Sequence, residues 1–408
     1  MSMQVAAKDL VTYLRSPVAI RSRCGELYTR AVAGNSRYFD CDLTQLPCAA
    51  DYVIDVIRSE YPDLQIPFHS RWRHFEAGGV RRLEQLDNLL AKLTQRERAI
   101  AKFDLAIISV LLDAGAGSDW YYYEPVTNMG FKRSEGLAVA SFQMFCQGAF
   151  SNDEASKLRV DAQKLQDFTE ADLIQGFQIR TDNPLVGVTG RLELLQKLGK
   201  VLTTLPQYFG ENPCPGNLVN YLVSKVNNNK IEAATVFDAV LSSLSEIWSG
   251  RQLIAGVNLG DVWRHPNVAS DGFVPFHKLS QWLTYSLLEP LQELSIEITG
   301  LDQLTGLPEY RNGGLCIDLG LLRPKHPDIL NTSHSVDSEV IVEWRALTVM
   351  LLDEIATTVR EKLNMSTKEL PLVKILQGGT WTAGRKIAAE KRAGGIPPIQ
   401  INSDGTVF

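Results

Sequence analysis

Apolar residues recur at helical spacing through most of the chain. Between Arg81 and Leu112, Leu83, Leu86, Leu90 and Leu93 fall three or four apart, and LAIISVLLDAG then runs almost wholly apolar. Side chains at that spacing share one helix face, and an unbroken apolar run reads as a buried segment. It ends at Gly115-Ala116-Gly117, where a stop and a turn are expected. Val340, Trp344, Leu347, Leu351, Ile355 and Val359 form a second long stripe, which predicts a core helix near the C-terminus. PFHKLSQWLTYSLLEPL, from Pro275, predicts one amphipathic helix. Ser151-Asn152-Asp153-Glu154 and Ser366-Thr367-Lys368-Glu369 match the capping box, and each is expected to open a helix. Strand-like alternation is scarce, the best stretches being Leu315 to Leu319 and Pro398 to Ile401. The pattern predicts a mainly α fold with minor β content, as one large domain over 1–408. Asn212-Pro213-Cys214-Pro215-Gly216 is the clearest break and offers a boundary between two lobes.

Composition narrows the class. Of 408 residues, 45% are hydrophobic and 22% charged, and no apolar run approaches the ~20 residues a membrane helix needs. No membrane partner is expected. The first residues lack the basic flank and apolar core of a secretory signal, so the cytoplasm is the expected compartment. The six scattered cysteines then read as buried thiols. A net charge of −6 argues against a nucleic-acid partner, while leaving room for a local basic pocket.

Several polar clusters interrupt the apolar pattern. Arg71-Trp72-Arg73-His74 offers cations for a phosphate and an indole for stacking, with a surface turn as the plain alternative. Asp119-Trp120-Tyr121-Tyr122-Tyr123-Glu124 follows the buried helix and places a carboxylate and aromatics where pockets often open; the three tyrosines read better as a lid on the core. Arg133-Ser134-Glu135-Gly136 precedes an apolar helix whose first amides and Ser134 hydroxyl suit an anion, although Glu135 competes for that role. His277, Lys278 and Gln281 lie within one turn at the start of the amphipathic helix. Glu309-Tyr310-Arg311-Asn312 stands before Gly313-Gly314, where the backbone can approach a ligand closely. Glu343-Trp344-Arg345 sits on the C-terminal core helix, and charges there require partners. The glycine-rich run from Gly378 to Arg385 has phosphate-site ingredients but no standard phosphate-loop spacing. The histidines and cysteines show no metal-ligand spacing, so neither metal nor cofactor is expected. Dinucleotide and serine-hydrolase fingerprints are missing as well.

SRWRHFEAGG, DLAIISVLLDAGAGSDWYYYE, RSEGLAVASFQMF, NPLVGVTGR, PFHKLSQWLTYSLLEPL, GLPEYRNGGLCIDLG and GGTWTAGRKIAAEKR together resemble the family of the fungal and bacterial uracil-catabolism clusters, over nearly the whole chain. That resemblance implies a role in a route that converts uracil to its ribonucleotide, opens the ring and releases urea. A more distant likeness is to the queuosine salvage nucleosidases, whose fold is similar to helical helix-hairpin-helix DNA glycosylases. In that likeness RWRHF, IISVLLDAGAGSDW and RSEGLAVAS stand in corresponding places, PFHKLSQ matches a Phe-Tyr-Lys-Arg-Ala-Gln helix, and Glu309-Tyr310-Arg311 matches an Asp-Tyr-Arg segment. Glu309 is one methylene longer than the aspartate it replaces. The aromatics that sandwich a deazapurine are only partly matched, which suits a smaller leaving group.

These resemblances imply an N-glycosidase acting on a ring-opened uracil ribonucleotide. Glu309 is the first candidate for the catalytic carboxylate and Asp119 the second. His277, Lys278, Gln281, Tyr310, Arg311, Arg133, Ser134, Trp72, His74, Trp120 and Trp344 are the candidate substrate contacts. The expected partner is a small phosphorylated riboside, with a pathway enzyme as a further possible partner. An amidohydrolase or ureidohydrolase of the same route, or a non-catalytic binding protein, are the alternatives.

Overall fold

The structure, a computed structural model, describes residues 2–113, 115–117, 119–153, 156–248 and 252–402, with the side chains of residues 2–6 left aside. Helices dominate these residues, and every sheet among them is a two-stranded ladder. The expected class is therefore found. The described residues divide into two compact units, one drawn from 2–69, 252–281 and 300–402, the other from 70–248 and 282–299. Asn212 to Gly216 falls inside the second.

In the first unit the helix Glu339–Leu363 packs against Pro17–Val32 and Leu46–Glu60. The predicted stripe, Val340 to Val359, is buried along it. Asn364 ends the helix in the left-handed conformation, a usual stop. Two more helices, Tyr310–Asp318 and Trp381–Lys391, pack together beside it. The glycines of the 378–385 run serve helix packing: Gly379 faces Val53 and Ile57, and Gly384 lies against the Arg311 carbonyl.

The strand expected over Leu315 to Leu319 is instead the end of Tyr310–Asp318. Its apolar residues alternate for only a few positions, whereas Arg311, Asn312, Leu315 and Cys316 are buried at helical spacing, and Glu309 caps the first turn. Gly313 makes this helix fit. A Cβ there would stand 2.7 Å from Trp344 ring carbons. Gly313→Ala is therefore expected to destabilise the protein by about 1–3 kcal/mol, the usual range for overpacking, readable as a lower urea midpoint at unchanged slope.

In the second unit Gln95–Leu111 packs against Arg133–Cys146 and the short helix Arg71–Phe75. The continuous helix expected from Arg81 is two, Arg82–Leu89 and Gln95–Leu111. Thr94 and Glu97 form a reciprocal capping box that starts the second, and Leu93 is left exposed. The Ser366–Glu369 box also forms its hydrogen bonds but closes only a turn, because Pro371 follows. The box at Ser151 includes Glu154, which lies outside the described residues. Of the three tyrosines only Tyr122 is buried; a strand alternates its side chains, and Tyr121–Glu124 pairs with Met129–Lys132 as a hairpin. The other expected strand survives in part, as Gln400–Asn402 paired with Ser333–Ser335.

Candidate functional site

Asp261 is the hub of the polar core in the first unit. Both Arg345 terminal nitrogens donate to its carboxylate at 2.8 Å, the Trp263 indole donates at 2.6 Å, and the Lys278 amide donates at 3.0 Å. Burial alone would raise this carboxyl's pKa, but Arg345 and the other donors outweigh it and hold the group well below the usual carboxylate range. Arg345 is buried, lies 4.1 Å over the Phe276 ring, and directs Nε at the Pro308 carbonyl. One ion pair thus ties the start of the Lys278–Glu293 helix to the residue just before Glu309.

Glu309 is half-buried at the N-cap of Tyr310–Asp318. Its two oxygens accept from the amides of Arg311 at 2.7 Å and Asn312 at 2.6 Å. Burial raises its pKa more than these amides and the charges of Lys278 and Arg311 lower it. A carboxylate oxygen accepts more than one hydrogen bond, so each retains capacity for a further donor. Arg311 donates to the Gly395 carbonyl at 2.7 Å and lies 5.0 Å over the Tyr310 ring. Lys278, Glu309, Tyr310 and Arg311 therefore belong to one neighbourhood.

Three other candidates here have internal tasks. Gln281 is fully buried, receives the Thr305 amide at 2.8 Å and donates to the Thr305 hydroxyl and the Phe276 carbonyl. His277 directs Nε2 at the Leu14 carbonyl, 2.8 Å away, and has a positive φ of 47°. Trp344 donates to the Gly313 carbonyl and braces the Glu309 helix. Gln281 and Trp344 thus bond to neighbouring protein atoms, and His277 does so through Nε2. Glu343 receives the Ser36 hydroxyl and lies 3.5 Å from His265 Nε2, so its burial is also accounted for internally.

The candidates of the second unit centre on Arg71. The sequence offers this residue as a cation for a phosphate, with a surface turn as the alternative; it is fully buried, and Asp113 supplies its counter-charge at 2.7 Å. Its Nε donates to Ser109 at 2.7 Å, and Ser134 donates to the same Asp113 oxygen that Arg71 engages. Trp72 is buried and donates to the Ser286 carbonyl, and Trp120 is buried and donates to that of Phe177. Arg73 pairs with Glu289 and Glu76. His74 is buried edge-on to Trp282. Arg133 and Asp119 are exposed.

Sequence reading missed Asp261 and Asp113. Asp113 was legible as the carboxylate just beyond the end of the buried apolar helix, four residues after Ser109; Asp261 was implied only by the need of Arg345 for a carboxylate.

His74 and His277 share one property. Burial lowers both pKa values from 6.5 to about 4. The unfolded chain binds protons at these sites near pH 6.5 and the folded chain only near pH 4, so stability falls as pH drops through that window. Each histidine contributes a slope of up to about 1.4 kcal/mol per pH unit. The urea midpoint should be clearly lower at pH 5 than at pH 7; equal midpoints would refute neutral burial.

Among the described residues no helix is long and apolar enough to cross a membrane, and no group of histidine, cysteine or acidic side chains is arranged for a metal ion. What the fold and its polar core define is a mainly helical protein with a carboxylate held beside cations. The chain belongs to the family described as "Protein of unknown function (DUF1688)", whose model matches residues 13–408. It is similar to "Uracil catabolism protein 4" of Lachancea kluyveri, at 38% identity over 436 aligned residues covering 98% of this chain and 99% of that protein. It is also similar to "Protein urg3" of Schizosaccharomyces pombe, at 40% identity over 408 residues with the same coverage. The family resemblance stated from the motifs is thereby established.

Proposed function

We propose that this protein acts in uracil catabolism by hydrolysing the N-ribosidic bond of a ring-opened uracil ribonucleotide such as a phosphoribosyl urea. The products are ribose 5-phosphate and urea or a ureido compound. The observation that carries this reading is Glu309: a half-buried carboxylate, fixed by two amides, with its pKa raised by burial and cationic Lys278 and Arg311 as neighbours. Cleaving the bond from C1 to nitrogen builds positive charge on the sugar, which an ionised carboxylate stabilises. As the water oxygen bonds to C1, Glu309 takes a water proton and returns it to the departing nitrogen. A raised pKa makes it the stronger base. The relatives' names support the pathway, and the helical scaffold suits the proposed likeness to queuosine salvage nucleosidases.

Lys278 and Arg311 are the cations assigned to the 5-phosphate, where binding energy remote from the reacting bond is useful. Lys278→Ala is expected to raise KM for phosphoribosyl urea by about 10-fold or more and to change KM for unphosphorylated ribosylurea little, since charge-assisted hydrogen bonds contribute about 1.5–3 kcal/mol. Equal changes for both substrates would remove Lys278 from the phosphate contact. The deciding experiment for the activity is incubation of the purified protein with synthetic phosphoribosyl urea and with UMP, assayed for ribose 5-phosphate, urea and ammonia. Ribose 5-phosphate from phosphoribosyl urea alone supports the reading. Ammonia without ribose 5-phosphate would identify an amidohydrolase instead.

A further inference from the structure

Arg71 uses its guanidinium incompletely. Nε bonds to Ser109 and Nη1 to Asp113, with Ser134 at 3.3 Å, yet Nη2 is buried with no hydrogen-bond partner among the described residues. Buried donors on a charged group are almost always paired, so an orphan in a fully buried arginine calls for an explanation. The aromatic rings nearby do not provide one. Its Cζ lies 5.5 Å from the Trp282 ring centroid and 5.9 Å from that of Phe75, close to the outer limit for a cation over a ring.

Asp113 is incomplete in a complementary way. Its Oδ2 receives both Arg71 and Ser134, while Oδ1 has no partner among the described residues and the side chain is 10% exposed. A donor and an acceptor therefore lie open in one cluster, and both belong to planar groups. The charge balance restricts what fills them. Arg71 and the buried Arg191, on which the Asp113 charge also acts, contribute one positive charge each, Asp113 and Glu135 one negative each, and His74 is neutral, with the Glu135 charge acting on both Arg71 and His74. The sum is zero, so a phosphate or carboxylate finds no net positive charge here, and a neutral ligand leaves the cluster balanced.

We infer that the Arg71–Asp113 cluster of the second unit, with Ser134 at its edge, is a binding site for the ureido group of a neutral ligand. The ureido oxygen accepts from Arg71 Nη2, and an N–H of the same planar group donates to Asp113 Oδ1. A flat conjugated group also suits the Trp282 and Phe75 rings beside the guanidinium better than a sugar diol does. Binding here is independent of whether Glu309 cleaves a riboside.

The test uses the full chain labelled with ¹⁵N-arginine, the Arg71 Nε–H resonance being assigned by its loss in Arg71→Lys. Millimolar N-ribosylurea is expected to shift that resonance, and D-ribose, which lacks the ureido group, is expected to leave it in place. Arg71→Lys keeps the charge but loses the fork, and should weaken ribosylurea binding by about 10-fold or more, as loss of a charge-assisted hydrogen bond does. Equal shifts with ribose would make this a diol site and overturn the assignment, as would no shift with either compound or full affinity in a folded Arg71→Lys. Should that variant fail to fold, ribosylurea and ribose titrations of the wild-type side-chain spectrum, with the Arg71 signal assigned through its contact to Ser109, still decide.

Discussion

Glu309→Gln is expected to lower turnover of phosphoribosyl urea by about 10²–10⁴-fold, the range typical for one positioned general base. The substitution keeps the side chain's length and one carbonyl oxygen for capping, so the fold should survive. Loss of a good N-cap costs about 0.5–2 kcal/mol, and a change in the urea midpoint beyond that range would point to a structural role instead. Glu309→Asp separates the two roles further. Aspartate caps helices well but withdraws the carboxylate by one methylene, so stability should hold while turnover falls. Turnover near that of the wild type in Glu309→Gln would remove the residue from the chemistry and return attention to Asp119, which lies exposed in the second unit.

The largest effect on stability is expected at Asp261. Replacing it with alanine strands the buried Arg345 guanidinium and removes the acceptor of Trp263 and of the Lys278 amide. Breaking a buried ion pair from one side costs about 3–5 kcal/mol, a large fraction of the 5–15 kcal/mol that holds a typical fold. Urea denaturation should show that loss. Removing both charges together, in Asp261→Ala with Arg345→Met, should recover part of it, because no uncompensated charge remains in the core. A loss below about 1 kcal/mol in Asp261→Ala would mean that water already satisfies Arg345. Since Asp261 is ionised far below the usual range, its contribution is complete above about pH 4 and is lost only in stronger acid.

The long helices were legible because burying a helix leaves a mark every three or four residues. The stripe from Val340 to Val359 is the clearest case. Reading failed where a few residues had to decide. LCIDL alternates like a strand, but Glu309 caps the segment and Gly313 accommodates Trp344, so it is helical. The leucines after Arg81 continue a stripe across a boundary that Thr94 and Glu97 impose. Local hydrogen bonds overrode periodicity in both.

The helical class, the family and the short motifs that hold Lys278, Glu309 and Arg311 are legible in the chain, since they rest on local spacing and on strings of residues that keep their order. Which polar residues face inward emerges only in the folded chain. Nothing local to Arg71 shows that Asp113 stands 2.7 Å from it, and nothing local to Gln281 shows that its amide meets Thr305. A buried charge or amide needs a partner, and that partner can lie anywhere along the chain. Asp261 and Arg345 stand 84 positions apart, and no local pattern records their pairing.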